Sequence, residues 1–258
     1  MTKKKAMLID ITMCLGCNSC QEACKTTNNL AAGEEKALSA TTYTALNEYD
    51  GVFVRRMCQH CIDPTCVSVC PVGAFTKSPE GPVLYDEDKC IGCRYCMQAC
   101  PFQVPRYEWS STYPRIQKCV FCHDRITKGL QPACAEACQV GATKFGDWDE
   151  LLKIAAERIK AEPSKYVNRI YGQQEVGGTS IFYITSVPFE KLGFKTELQT
   201  AALSPLTWNA LSKVPSIVTV GGSLLYGIWW ITNRRTEVQH HELRQREMEK
   251  RSNGNGNQ

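Results

Sequence analysis

Cys90-Ile91-Gly92-Cys93-Arg94-Tyr95-Cys96-Met97-Gln98-Ala99-Cys100-Pro101 decides how this chain is read. Three cysteines recur at every third position, a fourth follows one residue later than that rhythm, and a proline closes the run. Nearer the N-terminus, Cys14, Cys17, Cys20 and Cys24 repeat the spacing C-x2-C-x2-C-x3-C. Cys58, Cys61, Cys66 and Cys70 form a looser version, closed by Pro71, and Cys119, Cys122, Cys134 and Cys138 form another. Four groups of four account for all sixteen cysteines of the 258 residues.

A turn of backbone offering thiolates at this spacing wraps three corners of a cuboidal iron–sulfur cluster, and the fourth corner must come from elsewhere. In two-cluster bacterial ferredoxins the last cysteine of each run ligates the neighbouring cluster, so runs pair. Groups two and three share the closing proline and lie close in sequence. They make one dicluster unit, with Cys58, Cys61, Cys66 and Cys100 on one cluster and Cys90, Cys93, Cys96 and Cys70 on its neighbour. By elimination, groups one and four make the other, with Cys14, Cys17, Cys20 and Cys138 on one cluster and Cys119, Cys122, Cys134 and Cys24 on the second. The first unit then encloses the second. Leu8-Ile9-Asp10 precedes Cys14 as Leu84-Tyr85-Asp86 precedes Cys90, and Val-Gly-Ala follows both Cys70 and Cys138, the mark of an internal duplication. That repeat fits equally well a rival pairing of groups one with two and three with four.

Other chemistries suit the cysteines less well. Structural zinc assembles two C-x2-C pairs, and triplets are redundant for a tetrahedral ion. Neighbours two residues apart are badly placed for disulfides. Cys119-Val120-Phe121-Cys122-His123 matches the C-x-x-C-H of c-type haem, but haem there would strand Cys134 and Cys138. A zinc-binding or c-type haem protein with a membrane anchor is therefore the alternative reading. His123 is taken as a neighbour of a ligand, and His60 as a donor to cluster sulfur. No nucleotide loop, open metal position or acid–base pocket is legible, so the chain is expected to be non-catalytic. Counting sixteen thiolates and four dicationic cores turns the formal charge of +4 into about −4. There is no basic stripe with stacking aromatics for nucleic acid.

The fold class expected is α+β: two interleaved ferredoxin-like units, each holding two [4Fe–4S] clusters, plus one C-terminal transmembrane helix. Strands are expected at 6–11, 81–85 and 180–186, and helices at 19–25, 95–100 and 149–161, the last amphipathic and ended by Pro163. The outer unit comprises 1–48 and 107–190, the inserted one 49–106, followed by a linker 191–213. Residues 214–233 carry no charge, are long enough to cross the lipid bilayer, and end in Tyr226, Trp229 and Trp230, which suit an interfacial belt. A buried soluble helix is the competing reading. Arg234, Arg235, Arg244, Arg246, Lys250 and Arg251 make 234–258 a cytoplasmic, partly disordered tail and put the cluster domain on the periplasmic side. The opening Met1-Thr2-Lys3-Lys4-Lys5 lacks an apolar signal region, so export alongside a signal-bearing partner is expected.

Taken with Arg55-Arg56-Met57-Cys58-Gln59-His60-Cys61, Asp124-Arg125 and Val176-Gly177-Gly178-Thr179, these motifs resemble the four-cluster iron–sulfur subunits of membrane-bound respiratory oxidoreductases. The likeness covers most of the chain and is strongest to the beta subunit of periplasm-facing formate dehydrogenase and the iron–sulfur subunit of membrane-bound [NiFe]-hydrogenase. It implies four [4Fe–4S] clusters and an electron relay between two partners: a catalytic subunit of the molybdenum or tungsten pterin or [NiFe] type, and a quinone-reactive membrane subunit of the cytochrome b type or similar. It also favours the enclosed pairing, with groups one and four toward the catalytic partner. Many relatives have proline after the last cysteine of group four; this chain has Gln139, whose amide is free to donate toward sulfur.

Overall fold

The computed structural model describes residues 4–254, and the chain divides between Thr207 and Trp208 into two compact units. In order, the first unit contains β1 (Lys5–Asp10), a 3-10 turn (Ile11–Met13), α1 (Ser19–Thr27), β2 (Thr44–Tyr49), β3 (Val52–Met57), α2 (Thr65–Ser68), β4 (Phe75–Lys77) and β5 (Val83–Tyr85). A second 3-10 turn (Glu87–Lys89), α3 (Tyr95–Ala99), β6 (Arg106–Tyr107), β7 (Ile116–Gln117), α4 (His123–Ile126), α5 (Ala133–Glu136), β8 (Thr143–Asp147), α6 (Trp148–Ala161) and β9 (Ile181–Ile184) follow. The strands and helices expected around groups one and three, the amphipathic helix and the strand near 180 are all present.

β1 is apolar on both faces because it is the middle strand of a sheet ordered β8-β1-β9. It runs antiparallel to β8, with Lys5 opposite Asp147 and Ile9 opposite Thr143, and parallel to β9, with Met7 opposite Ile181. β4 and β5 pair antiparallel, Phe75 opposite Tyr85. α1 packs on α5, and α2 on α3. The amphipathic α6 lays Leu151, Ala155 and Ile159 on one side of the sheet, against Ala6, Leu8, Phe182 and Ile184. The other side turns Met7, Ile9, Ile181 and Tyr183 into a core shared with Cys58, Cys119 and Cys134.

Two expected boundaries differ. A division at 48/49 would cut the hairpin β2–β3, whose two strands are joined over six facing pairs by Asp50-Gly51, both at positive φ. That is the two-residue turn whose twist matches its strands. The linker begins later than 191, because Leu192 and Phe194 are buried in the core, where Arg56 donates to the Leu192 carbonyl and lies 4.2 Å over the Phe194 ring. Backbone bonds from Val176 to Gln199 and from Gly177 to Thr200 carry the order further.

Helices α7 (Ser204–Leu211) and α8 (Val214–Gly254) follow. The segment Ser204–Met248 is long and apolar enough to cross a membrane, and none of its apolar window is buried. Ile217, Val218, Leu224, Leu225, Trp229 and Trp230 are each more than half exposed, a continuous apolar surface of the kind that lipid or a partner covers. The tail differs from the partial disorder expected: α8 continues through 234–254 without a break. Glu, Arg and Gln are strong helix formers, and pairs such as Arg234 with Glu237 support the turn after the apolar stretch.

Candidate metal centres

The duplication read from sequence is a duplication of local geometry. Asp10 caps the first 3-10 turn, its carboxylate accepting from the Thr12 N–H at 3.1 Å, and Cys14 ends that turn; Asp86 caps the second, accepting from Asp88 N–H at 3.1 Å, and Cys90 ends it. Gly16 and Gly92 then take φ of +75° and +69°, and Asn18 and Arg94 +57° and +63°, opening α1 and α3. Such left-handed steps swing successive cysteines to one side of the loop. A Cβ on Gly16 would sit 2.6 Å from the Phe53 ring, so glycine is required there on two counts.

Groups two and four share a different pattern. His60 and Phe121, each two residues past the first cysteine of its group, have positive φ, and each loop turns there toward its second cysteine. Pro64 and Pro132 precede α2 and α5, which carry Cys66 and Cys134; Gly73 and Gly141, at φ +63° and +65°, follow Cys70 and Cys138. The two loops meet: the rings of His60 and Phe121 stack at 4.8 Å.

None of the sixteen cysteines is paired in a disulfide. Burial pushes most of them up, Cys24, Cys66 and Cys96 to about 12, and neighbouring thiols push further. Those neighbours map which sulfurs face one another. Cys14 and Cys20 feel Cys138; Cys24 feels Cys134 and Cys122; Cys61 and Cys66 feel Cys58 and Cys100; Cys96 feels Cys90, Cys93 and Cys70. Links also run between sets, Cys20 to Cys134, Cys119 to Cys58 and Cys66 to Cys96, and the first two exceed the links of Cys20 to Cys138 and of Cys119 to Cys134. Cys17 departs from the trend, lowered by hydrogen bonds from Ser19.

The surroundings fit an iron–sulfur cluster as occupant. Backbone N–H groups point at thiol sulfur from Ala74 to Cys70, Gly92 to Cys90 and Phe121 to Cys119, at 3.2–3.4 Å, as they would at thiolates. Cys24, Cys119, Cys122 and Cys134 line one cavity together with Asn28, Tyr43 and Met57. His60 is fully buried, and its Nδ1 accepts from Val83 N–H at 3.0 Å. Nε2 must then carry the hydrogen, and it has no partner in the protein. Burial, with Lys118 and Lys77 nearby, holds the ring neutral, well below the usual histidine range. Among the described residues this Nε2–H donor is left over, in a residue that lies between Cys58 and Cys61 in sequence.

Sequence reasoning passed over the buried cations. Lys118 is 3% exposed and donates to the carbonyls of Val83 and Cys119, and Arg55 is 2% exposed; neither has a carboxylate partner among the described residues. The signal was a cationic residue within three positions of the first cysteine in groups two and four.

The chain is similar to proteins already described. The 4Fe-4S dicluster domain family matches residues 49–148. A protein of Nitratidesulfovibrio vulgaris is 39% identical over 254 residues, covering 92% of this chain and 69% of its own length. The hydrogenase-2 operon protein HybA of Escherichia coli O157:H7 is 34% identical over 285 residues, with 92% and 86% covered. The iron–sulfur subunit of the nitrate-inducible formate dehydrogenase of Escherichia coli K12 is 31% identical over 272 residues, with 92% and 90% covered.

Proposed function

Because this chain belongs to the family of iron–sulfur subunits that includes HybA and the formate dehydrogenase iron–sulfur subunits, we propose that it is a non-catalytic electron relay built on four [4Fe–4S] clusters. When bound, each cluster would take up and release one electron at a time. The protein's part is to hold the thiolates, exclude water and set the surrounding charge. The observation that carries the reading is the proximity of Cys138 to Cys14 and Cys20 and of Cys100 to Cys58, Cys61 and Cys66. These are two of the four exchanged ligands that the crossed scheme requires.

The strand pairing favours the enclosed arrangement over its rival. Asp10 N–H bonds to the Ala142 carbonyl at 2.8 Å, and Asp86 N–H to Ala74 at 2.8 Å, so the start of group one lies beside the end of group four and the start of group three beside the end of group two. The ligand sets are then Cys14, Cys17, Cys20 and Cys138; Cys119, Cys122, Cys134 and Cys24; Cys58, Cys61, Cys66 and Cys100; and Cys90, Cys93, Cys96 and Cys70. The links between sets that join Cys20 to Cys134, Cys119 to Cys58 and Cys66 to Cys96 support a path through the sets in that order. One end would face a catalytic oxidoreductase subunit, of the formate dehydrogenase or hydrogenase kind, and the other a quinone-reactive membrane subunit. α8 supports attachment to the bilayer, and the basic residues after Asn233 favour a cytoplasmic C-terminus with the clusters on the periplasmic side.

Iron and acid-labile sulfide measured on anaerobically purified protein test the reading directly. Close to sixteen of each per chain, one for every cysteine, is expected; stoichiometric zinc or covalent haem would reject it.

A further inference from the structure

Arg55 lies within β3, and strand alternation turns it inward while Arg56 points to Leu192 and Phe194. Its Nη2 donates to the thioethers of Met7 and Met57, which are weak acceptors, and its Nε and Nη1 have no partner. A guanidinium keeps its proton in proteins, so this is a full charge, buried, with no anion of its own. Met7 and Met57 share a core with Cys134, against which Cys20 packs, and Met57 lines one cavity with Cys24, Cys119, Cys122 and Cys134. The groups that feel the guanidinium are the thiols of Cys14, Cys20, Cys24 and Cys134 and the Tyr183 hydroxyl, and Cys20 and Cys134 come near enough to feel its N–H donors as well as its charge. Cys61 and Cys66, by contrast, face Lys77 and Lys118.

We propose that Arg55 is a permanent positive charge shared by the two clusters of the outer unit, placed between their ligands Cys20 and Cys134, and that it raises the reduction potential of both. The inference rests on the crossed-ligand reading. Reduction takes a core from 2+ to 1+ with one electron and no proton. A fixed cation in a poorly polarisable interior favours the more negative form, and it also screens two reduced neighbours from each other. Its orphaned N–H groups are placed to donate to ligand or bridging sulfur, which acts in the same direction.

The test is a dithionite titration of the full chain, purified anaerobically and followed by EPR, for wild type, Arg55→Met, Arg55→Gln and Arg55→Lys. In the two neutral variants, two of the four centres should become harder to reduce by at least about tenfold in equilibrium constant, about 59 mV for one electron. Arg55→Lys should remain within about twofold of wild type. Unchanged potentials, a shift in one centre alone or in all four, or an equal shift in Arg55→Lys would overturn the proposal. So would loss of clusters from both neutral variants, which would make the residue purely structural. A wild-type protein without four reducible centres would instead bring down the underlying reading, so the two failures are distinguishable.

Discussion

At the scale of single residues, the cysteine groups were legible because cluster chemistry calls for such spacing along the chain, and what escaped was set by neighbours distant in sequence. Cys138 is the sharpest case. Its own loop offers Cys134 four residues away, yet the thiols it influences are Cys14 and Cys20, more than a hundred positions upstream. Cys138→Ser should therefore damage the EPR signal of the centre held by Cys14, Cys17 and Cys20, and leave the Cys119, Cys122 and Cys134 centre intact; the opposite pattern would refute crossed ligation. Arg55 was quoted as part of a motif but given no role. Nothing in Arg55-Arg56 tells which of two adjacent arginines enters the interior until the pairing of Leu46 with Arg55 is known. His60 could be assigned from its place between two ligands, although its tautomer needed the Val83 N–H.

Elements were legible where the duplication repeats a cap. Leu8-Ile9-Asp10 and Leu84-Tyr85-Asp86 both read as a strand feeding a ligand turn, and both are. Their settings differ. Asp10 is fully buried, accepting from Thr12, from Arg158 Nη1 at 2.7 Å and from Tyr166 Oη at 2.8 Å, and so ties the first ligand turn to α6. Asp86 pairs with Lys89 in solvent. Asp10→Ala strips the partner from a half-buried arginine and should cost about 3–5 kcal/mol. Iron counted per chain after mild heating should fall by about a quarter or more in Asp10→Ala and stay near wild type in Asp86→Ala; equal losses would mean that the caps are interchangeable. The hairpin β2–β3 was missed although Asp50-Gly51 is a strong turn signal, because its flanking strands, Thr44–Tyr49 above all, mix polar and apolar residues without clean alternation. The tail helix was missed because charge was read as a sign of disorder, when the same residues are good helix formers.

For the whole molecule, the division into a cluster-bearing part and an apolar helix was plain from composition, while the domain borders were not, since hairpin and core contacts cross the places where cysteine groups suggest a cut. If the cluster domain lies on the periplasmic side, protease added to spheroplasts from cells carrying the whole complex should digest it and spare residues after Asn233; full protection of the domain would place it on the cytoplasmic face. One further consequence lies in the central position of β1. Both of its sheet neighbours, β8 and β9, are encoded far downstream, β9 about 175 residues later. A ribosome adding 5–20 residues each second needs roughly 10–35 s to span that interval. Until β8 and then β9 emerge, Cys14, Cys17, Cys20 and Cys24 follow a strand that lacks its sheet neighbours, whereas on the proposed pairing the segment from Cys58 to Cys100 carries every ligand of its own two centres. Biogenesis would thus proceed from the middle outward, and the earliest thiols made would be the last to be enclosed.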